Sequence, residues 1–164
     1  NNNNNIQIEK LSKAKEFHVN EWVDANGKKT NQIRLADFKG KFKVIYCFQS
    51  WCPGCHNKGF PDLKKMVEAL NGNEKVKVLA RQTVFEGHET NTYEKMVETQ
   101  KQYGLKIPFG HDAGKDGKSR STMMTTYKTG GTPWFILIDR YDAIVFADYR
   151  LNADAAIEFL KTLD

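Results

Sequence analysis

The run Lys43-Val44-Ile45-Tyr46-Cys47-Phe48 is strand-like, and it leads directly into Ser50-Trp51-Cys52-Pro53-Gly54-Cys55-His56. A helical pattern follows, with Phe60, Leu63, Val67 and Leu70 at helical spacing and Met66 beside them. This order constrains the fold because the helix sets the chemistry of the first cysteine. Thiolate is the nucleophilic form of cysteine, and a helix N-terminus lowers the thiol pKa. With Cys52 as the cap, Pro53 takes the first helical position, where its missing N–H costs nothing. The N–H groups of Gly54 and Cys55 then point at the Cys52 sulfur. Cys55, one turn in, is close enough to close a disulfide. Strand, Cys-x-x-Cys, helix is the arrangement a reversible dithiol needs.

The spacing by itself leaves other chemistries open. Cys52 to His56 also fits the Cys-x-x-Cys-His signature of covalent c-type haem attachment, and the cysteines could be half of a zinc site. A second stretch bears on the choice. Pro133 heads the apolar strand pattern Trp134-Phe135-Ile136-Leu137-Ile138, although proline removes a ladder donor. A cis Thr132–Pro133 bond would turn the chain tightly, with backbone facing the dithiol. An ordinary trans proline at a strand start is the alternative.

Trp51-Cys52-x-x-Cys55 after a strand, then Gly131-Thr132-Pro133 before a late strand, resembles the thioredoxin-fold superfamily. Within it, the chain is similar to the TlpA/ResA-like thiol-disulfide oxidoreductases. Leu35 to Lys41 before the first core strand, Phe60-Pro61 after the motif and Phe135 to Asp139 carry the rest of the likeness. The resemblance implies an α/β, thioredoxin-like fold: a mixed central sheet flanked by helices, with an N-terminal β extension and a central insertion. It implies a redox-active Cys52–Cys55 pair, with Trp51, Thr132 and Pro133 contacting substrate. Protein disulfides or dithiols are then the substrates, with a redox donor or acceptor protein as partner and with neither cofactor nor metal. An exported, periplasmic location is implied, cytoplasmic being the alternative, and a monomer is expected.

Two departures stand out. Thioredoxins carry a buried acid six positions before the first cysteine, where this chain has Tyr46. ResA-like proteins carry a glutamate three positions after the second cysteine, where Lys58 stands, and Gly59 is an extra residue before Phe60-Pro61. No obvious carboxylate is placed to take the Cys55 proton. A peroxiredoxin on a related fold would need threonine or serine where Gln49 stands, so that pattern fails.

A chain of 164 residues suits one domain with a sizeable core. The net charge of +5 comes from scattered Lys and Arg without a basic block, which reads as solvated surface rather than nucleic-acid binding. No apolar run approaches the roughly 20 residues of a membrane span. Three cysteines are too few for a secreted disulfide framework. Cys47, inside the strand, reads as an inert core residue. The chain begins at Asn1 rather than methionine, which points to a trimmed or processed form.

Residues 1–16 are expected to be a tail and 17–164 the domain. Phe17, Val19 and Val23 suggest a short strand, followed by a turn at Ala25 to Lys28. Pro61 inside the first helical pattern should kink it. Val76 to Val84 reads as a strand and Tyr93 to Gln100 as a helix capped by Gly104. Asp112 to Gly117 reads as loop, Ser121 to Tyr127 as a brief helix, and Trp134 to Tyr149 as a hairpin. Asn152 caps a final helix. His56 should turn toward solvent, Tyr127 should lie near Pro133, and Glu86, His88 and Glu89 read as exposed loop polarity.

Overall fold

The computed structural model describes residues 6–18 and 20–164. Five copies of asparagine at the N-terminus and Val19 lie outside them. The strands are β1 (Ser12–Lys13), β2 (Glu21–Val23), β3 (Lys29–Thr30), β4 (Phe42–Phe48), β5 (Val76–Thr83), β6 (Phe109–Asp112), β7 (Trp134–Ile138) and β8 (Ala143–Asp148). The helices are α1 (Phe60–Ala69), α2 (Tyr93–Tyr103), α3 (Thr122–Thr126) and α4 (Ala153–Lys161). The strands form one sheet in the order β1-β8-β7-β4-β5-β6-β2-β3. β4, β5 and β6 run parallel, while β7 lies antiparallel to β4.

β4 is buried along its whole length because it is flanked by β5 and β7 and covered on both faces. Its alternation divides the core in two. Val44, Tyr46 and Phe48 join Phe60, Leu63, Met66, Phe109, Phe135 and the inner face of α4. Ile45 and Cys47 join Trp22, Leu79, Met123, Tyr127 and Ile136 on the other side. The sheet edges are two-residue strands bearing lysine, a length and charge that discourage further strand pairing.

Part of the segment read from sequence as a tail is ordered against one edge. Ser12 and Lys13 pair with β8, and the Glu9 and Leu11 N–H groups donate to Val145 and Ile144 at 3.0 and 2.8 Å. Backbone pairing, which needs no apolar side chain, explains why composition did not show it. Asp112, read as loop, ends β6 and is fully buried. Tyr127 packs on Phe17 and donates its hydroxyl to the Lys15 carbonyl. This places it on the N-terminal segment rather than on Pro133.

The helix after the dithiol opens unusually. Pro53 and Gly54 begin it, Cys55–Gly59 form a π-helical turn, and α1 starts at Phe60. The Phe60 N–H donates to the Cys55 carbonyl, five residues back. Pro61 therefore falls in the first turn of α1, where the ladder has already shifted. The kink expected at Pro61 is replaced by a turn widened by one residue.

Candidate active site

The end of β4 delivers Gln49, Ser50 and Trp51 to the rim of the sheet, and Cys52 follows at the start of the helix. Cys52 and Cys55 are joined as a disulfide with their Cα atoms 5.3 Å apart. The Cys55 N–H donates to the Cys52 sulfur at 3.2 Å. This is one of the helix-start donors that the capping geometry leaves without a backbone partner. Cys55 is fully buried and Cys52 nearly so, at 5% exposure, whereas Trp51 stands 58% exposed beside them.

The loop that carries the dithiol is clamped by side chains from distant elements. The Ser50 N–H donates to Gln82 Oε1 at 3.0 Å, and Ser50 Oγ bonds the same oxygen. The Trp51 N–H donates to Asn91 Oδ1 at 2.9 Å. Gln49 Oε1 accepts from the Phe85 N–H at 3.1 Å. Gln82 in turn donates through Nε2 to the Thr92 carbonyl and to His111 Nδ1. These fixed partners hold the loop against the end of β5 and the start of α2. The one hint of them in the sequence is Arg81-Gln82-Thr83, a polar run closing a strand that must be buried.

His56 does not face solvent. Its Nε2 donates to the Ser50 carbonyl at 2.6 Å, and its Nδ1 pairs with the Tyr103 hydroxyl. Its ring lies beside Phe60 and Tyr103, which stack with centroids 4.3 Å apart. The end of α2 brings Tyr103 over the helix start, a contact between residues 47 apart in the chain.

Tyr46 occupies the position of the missing acid. It is fully buried among Phe48, Phe60 and Phe135, and its hydroxyl donates to the Cys55 carbonyl at 3.1 Å. Burial pushes its phenol well above the usual value, so it stays protonated.

The Thr132–Pro133 peptide bond is cis. Pro133 borders the dithiol: its Cδ lies 3.4 Å from where a Cβ on Gly54 would stand. The preceding Gly130 is packed so tightly under Trp134 and Tyr149 that a Cβ would come within 2.7 Å of the Trp134 ring. Between Pro133 and the helix opens a cleft of about 540 Å³, lined by Gly54, Lys58, Gly59, Phe135, Tyr149 and Arg150 with Asp62. Lys58 is neutralised by Asp62 at 2.8 Å. Thus Trp51, Cys52, Cys55 and Pro133 are gathered at one rim, while Glu86, His88 and Glu89 belong to the neighbouring loop, where His88 Nε2 donates to the Ser119 carbonyl at 2.8 Å.

Behind the rim, on the opposite face of the sheet, lies a charged pair. Arg81 is fully buried, stacked on Phe17 and Trp22 with centroid distances of 4.8 and 4.7 Å. Its Nη2 lies 3.9 Å from Asp112. Desolvation alone would raise the Asp112 carboxyl. Arg81, the Ser121 hydroxyl and the Thr122 and Met123 N–H groups outweigh it and hold the carboxyl below its usual range.

A profile of the AhpC/TSA family matches residues 11–147. Among solved structures the chain is similar to a thioredoxin-like superfamily protein, at 33% identity over 94% of this chain and 99% of that one, with a TM-score of 0.77. It is similar to a thiol-disulfide isomerase from Corynebacterium glutamicum, at 26% identity over 94% and 95% of the two chains, TM-score 0.73. It shares its fold with the thioredoxin domain of a thiol-disulfide oxidoreductase from Bacteroides vulgatus, at 19% identity over 92% and 96%, TM-score 0.66. No curated protein matches the sequence. The family model spans most of the chain, and two of these structures reach 33% and 26% identity over nearly the full length of both chains: the chain belongs to the AhpC/TSA family and is a thioredoxin-like thiol-disulfide oxidoreductase.

Proposed function

We propose that the Cys52-Pro53-Gly54-Cys55 dithiol exchanges with protein disulfides through a mixed disulfide on Cys52. The Cys52 thiolate attacks one sulfur of the substrate disulfide, and the other sulfur leaves as a thiolate. The Cys55 thiolate then attacks Cys52, forming the Cys52–Cys55 bond and releasing the second substrate sulfur. Run backward, the same steps oxidise a substrate dithiol. The direction follows from the reduction potential relative to the partner protein that reloads the pair.

The observation that carries this reading is the Cys55 N–H held 3.2 Å from the Cys52 sulfur at the start of a helix. The donor and the helix dipole both favour negative charge on that sulfur. Trp51 supplies an exposed flat face. Thr132 supplies backbone for a substrate strand, and Pro133 borders the turn between the cysteines without an N–H of its own to compete. The cleft beside Pro133 receives the residue next to the substrate cysteine. The insertion between Phe85 and Gly131 supports a place in the TlpA/ResA-like branch, and with it an exported, periplasmic, monomeric protein. No helix among the described residues is long and apolar enough to cross a membrane.

The haem reading needs a free imidazole nitrogen on His56, and both nitrogens have protein partners. The peroxidase reading lacks the hydroxyl that Gln49 replaces. Iodoacetamide labelling of the reduced protein at mildly acidic pH tests the proposal. Cys52 should be modified first, with Cys55 and Cys47 protected. Preferential labelling of either of the others would falsify the mechanism.

A further inference from the structure

We propose that Tyr46 and Gly59 are a positioning pair for the resolving cysteine. The Tyr46 hydroxyl, seated in the turn that Gly59 widens, holds the Cys55 peptide so that its sulfur meets the mixed disulfide on Cys52. The inference rests on the exchange mechanism above and concerns its second step.

The first support is the geometry of the turn. In a regular α-helix the Cys55 carbonyl would accept from the Gly59 N–H, four residues on. Here it accepts from the Phe60 N–H and also from the Tyr46 hydroxyl at 3.1 Å. One extra residue in the chain has become one extra residue in the turn. Turns of this kind are rare and concentrate at functional sites.

The second support is the reason for glycine at position 59. Its backbone, at φ −61° and ψ −56°, is ordinary helix that any residue adopts. Glycine is a poor helix residue, so conformational freedom does not explain it. Space does: a Cβ there would lie 2.8 Å from Tyr46 Cζ and 2.9 Å from Cε1, and would overlap the hydroxyl. Gly59 makes room for that hydroxyl.

The third is the surroundings of Tyr46. The ring is locked at 4.9 Å from both Phe60 and Phe135, and phenylalanine would fill the same apolar space. The hydroxyl's partner is the Cys55 carbonyl. While the disulfide is open, no covalent bond ties Cys55 to Cys52, and this hydrogen bond anchors the residue from beneath. The phenol remains protonated, so Tyr46 acts as a donor and not as the base for Cys55. It is therefore a positioning residue. In the step it assists, the Cys52–Cys55 bond forms, the Cys52–substrate bond breaks, and the departing sulfur leaves as thiolate.

The test mixes the reduced full chain with oxidised glutathione and follows the Cys52–glutathione adduct by acid quench and mass spectrometry. Adduct formation reports attack by Cys52, and adduct decay reports attack by Cys55. Tyr46→Phe should leave formation nearly unchanged and slow decay about tenfold, as expected for a displaced reacting group. Gly59→Ala, which drives a methyl into the hydroxyl, should slow decay at least as much. The double variant should decay faster than the product of the two single effects, because the closest overlap, that with the hydroxyl, is gone and only the milder contact with the ring remains. Formation and decay slowed equally in Tyr46→Phe, decay unchanged, or strictly multiplicative effects would each overturn the pair. Formation of neither the adduct nor the Cys52–Cys55 disulfide in the unaltered protein would overturn the exchange reading itself, a failure separate from that of Tyr46.

Discussion

Cys47 and Cys52 lie five positions apart and on the same strand-to-helix path, yet their surroundings are opposite. Cys47 sits inside β4, paired across to Arg81 in β5 and Trp134 in β7. Every backbone donor near it is committed to the sheet ladder. Burial pushes its thiol up to about 12; the charge of Arg81 acts the other way and is outweighed. Cys52 lies just past the last ladder bond, where a helix begins and N–H groups have no partner of their own. One of them has turned to its sulfur. The difference teaches that thiol reactivity here is set by the boundary between two elements. Distance from the nearest positive side chain matters less: the buried thiol faces an arginine and stays a thiol.

The strongest test of that contrast is to remove one sulfur at a time. Cys52→Ser should abolish exchange with a protein disulfide, since serine is not a nucleophile toward disulfides. Cys55→Ser should still attack but stop at the mixed disulfide, which non-reducing electrophoresis would show as a stable adduct. Turnover surviving in Cys52→Ser would mean that another thiol, Cys47 foremost, does the chemistry, and the contrast would collapse.

A smaller effect separates the two faces by stability rather than activity. Asp112→Asn leaves the fully buried Arg81 without its carboxylate. Unpairing a buried ion costs about 3 kcal/mol or more. The pH dependence sharpens it. The folded carboxyl of Asp112 titrates below its unfolded value, so its contribution is present above about pH 4 and is lost as pH falls through the folded pKa. Urea unfolding should therefore show a large gap between the parent and the variant at pH 7 that narrows below pH 4. A gap that stays constant with pH would show that the carboxylate's charge contributes nothing. Exchange activity per folded molecule should stay near that of the parent, because the pair lies on the face away from Cys52.

What could be read from the sequence follows the same division. β4, the helix cap at Cys52, the hairpin β7–β8 and the helices α1, α2 and α4 all show in local pattern, because apolar period and turn residues are written along a single segment. The clamp on the dithiol loop does not. Gln82, Asn91 and Tyr103 are ordinary polar residues in sequence, and only the packing of β5 and α2 against the rim gives them a role. His56 was legible as a motif residue but not in its direction, since that depends on where α2 ends. Tyr46 and Gly59 were each visible as departures from the family pattern. That they meet depends on a turn whose register no local rule supplies. Asp112 was hidden for a related reason: Asp-Ala-Gly reads as a turn, and its burial against Arg81 is a matter of strand pairing.

The smallest effect is expected where the contrast is most easily doubted. Cys47→Ala removes the only free thiol, and the side chain lost is small and apolar in behaviour. Cys47 is fully buried in the cluster that holds Ile45, Leu79, Ile136 and Met123, and a loss of about 1 kcal/mol is expected for so small a truncation. Exchange should proceed at the parental rate, because Cys47 presents its side chain to the face opposite Cys55 and holds its proton throughout the working pH range. Steady-state turnover of a protein disulfide, measured alongside thermal unfolding, checks both halves. Loss of turnover in a folded Cys47→Ala protein would mean that the sheet carries influence from one face to the other. The two thiols would then have to be treated as one system.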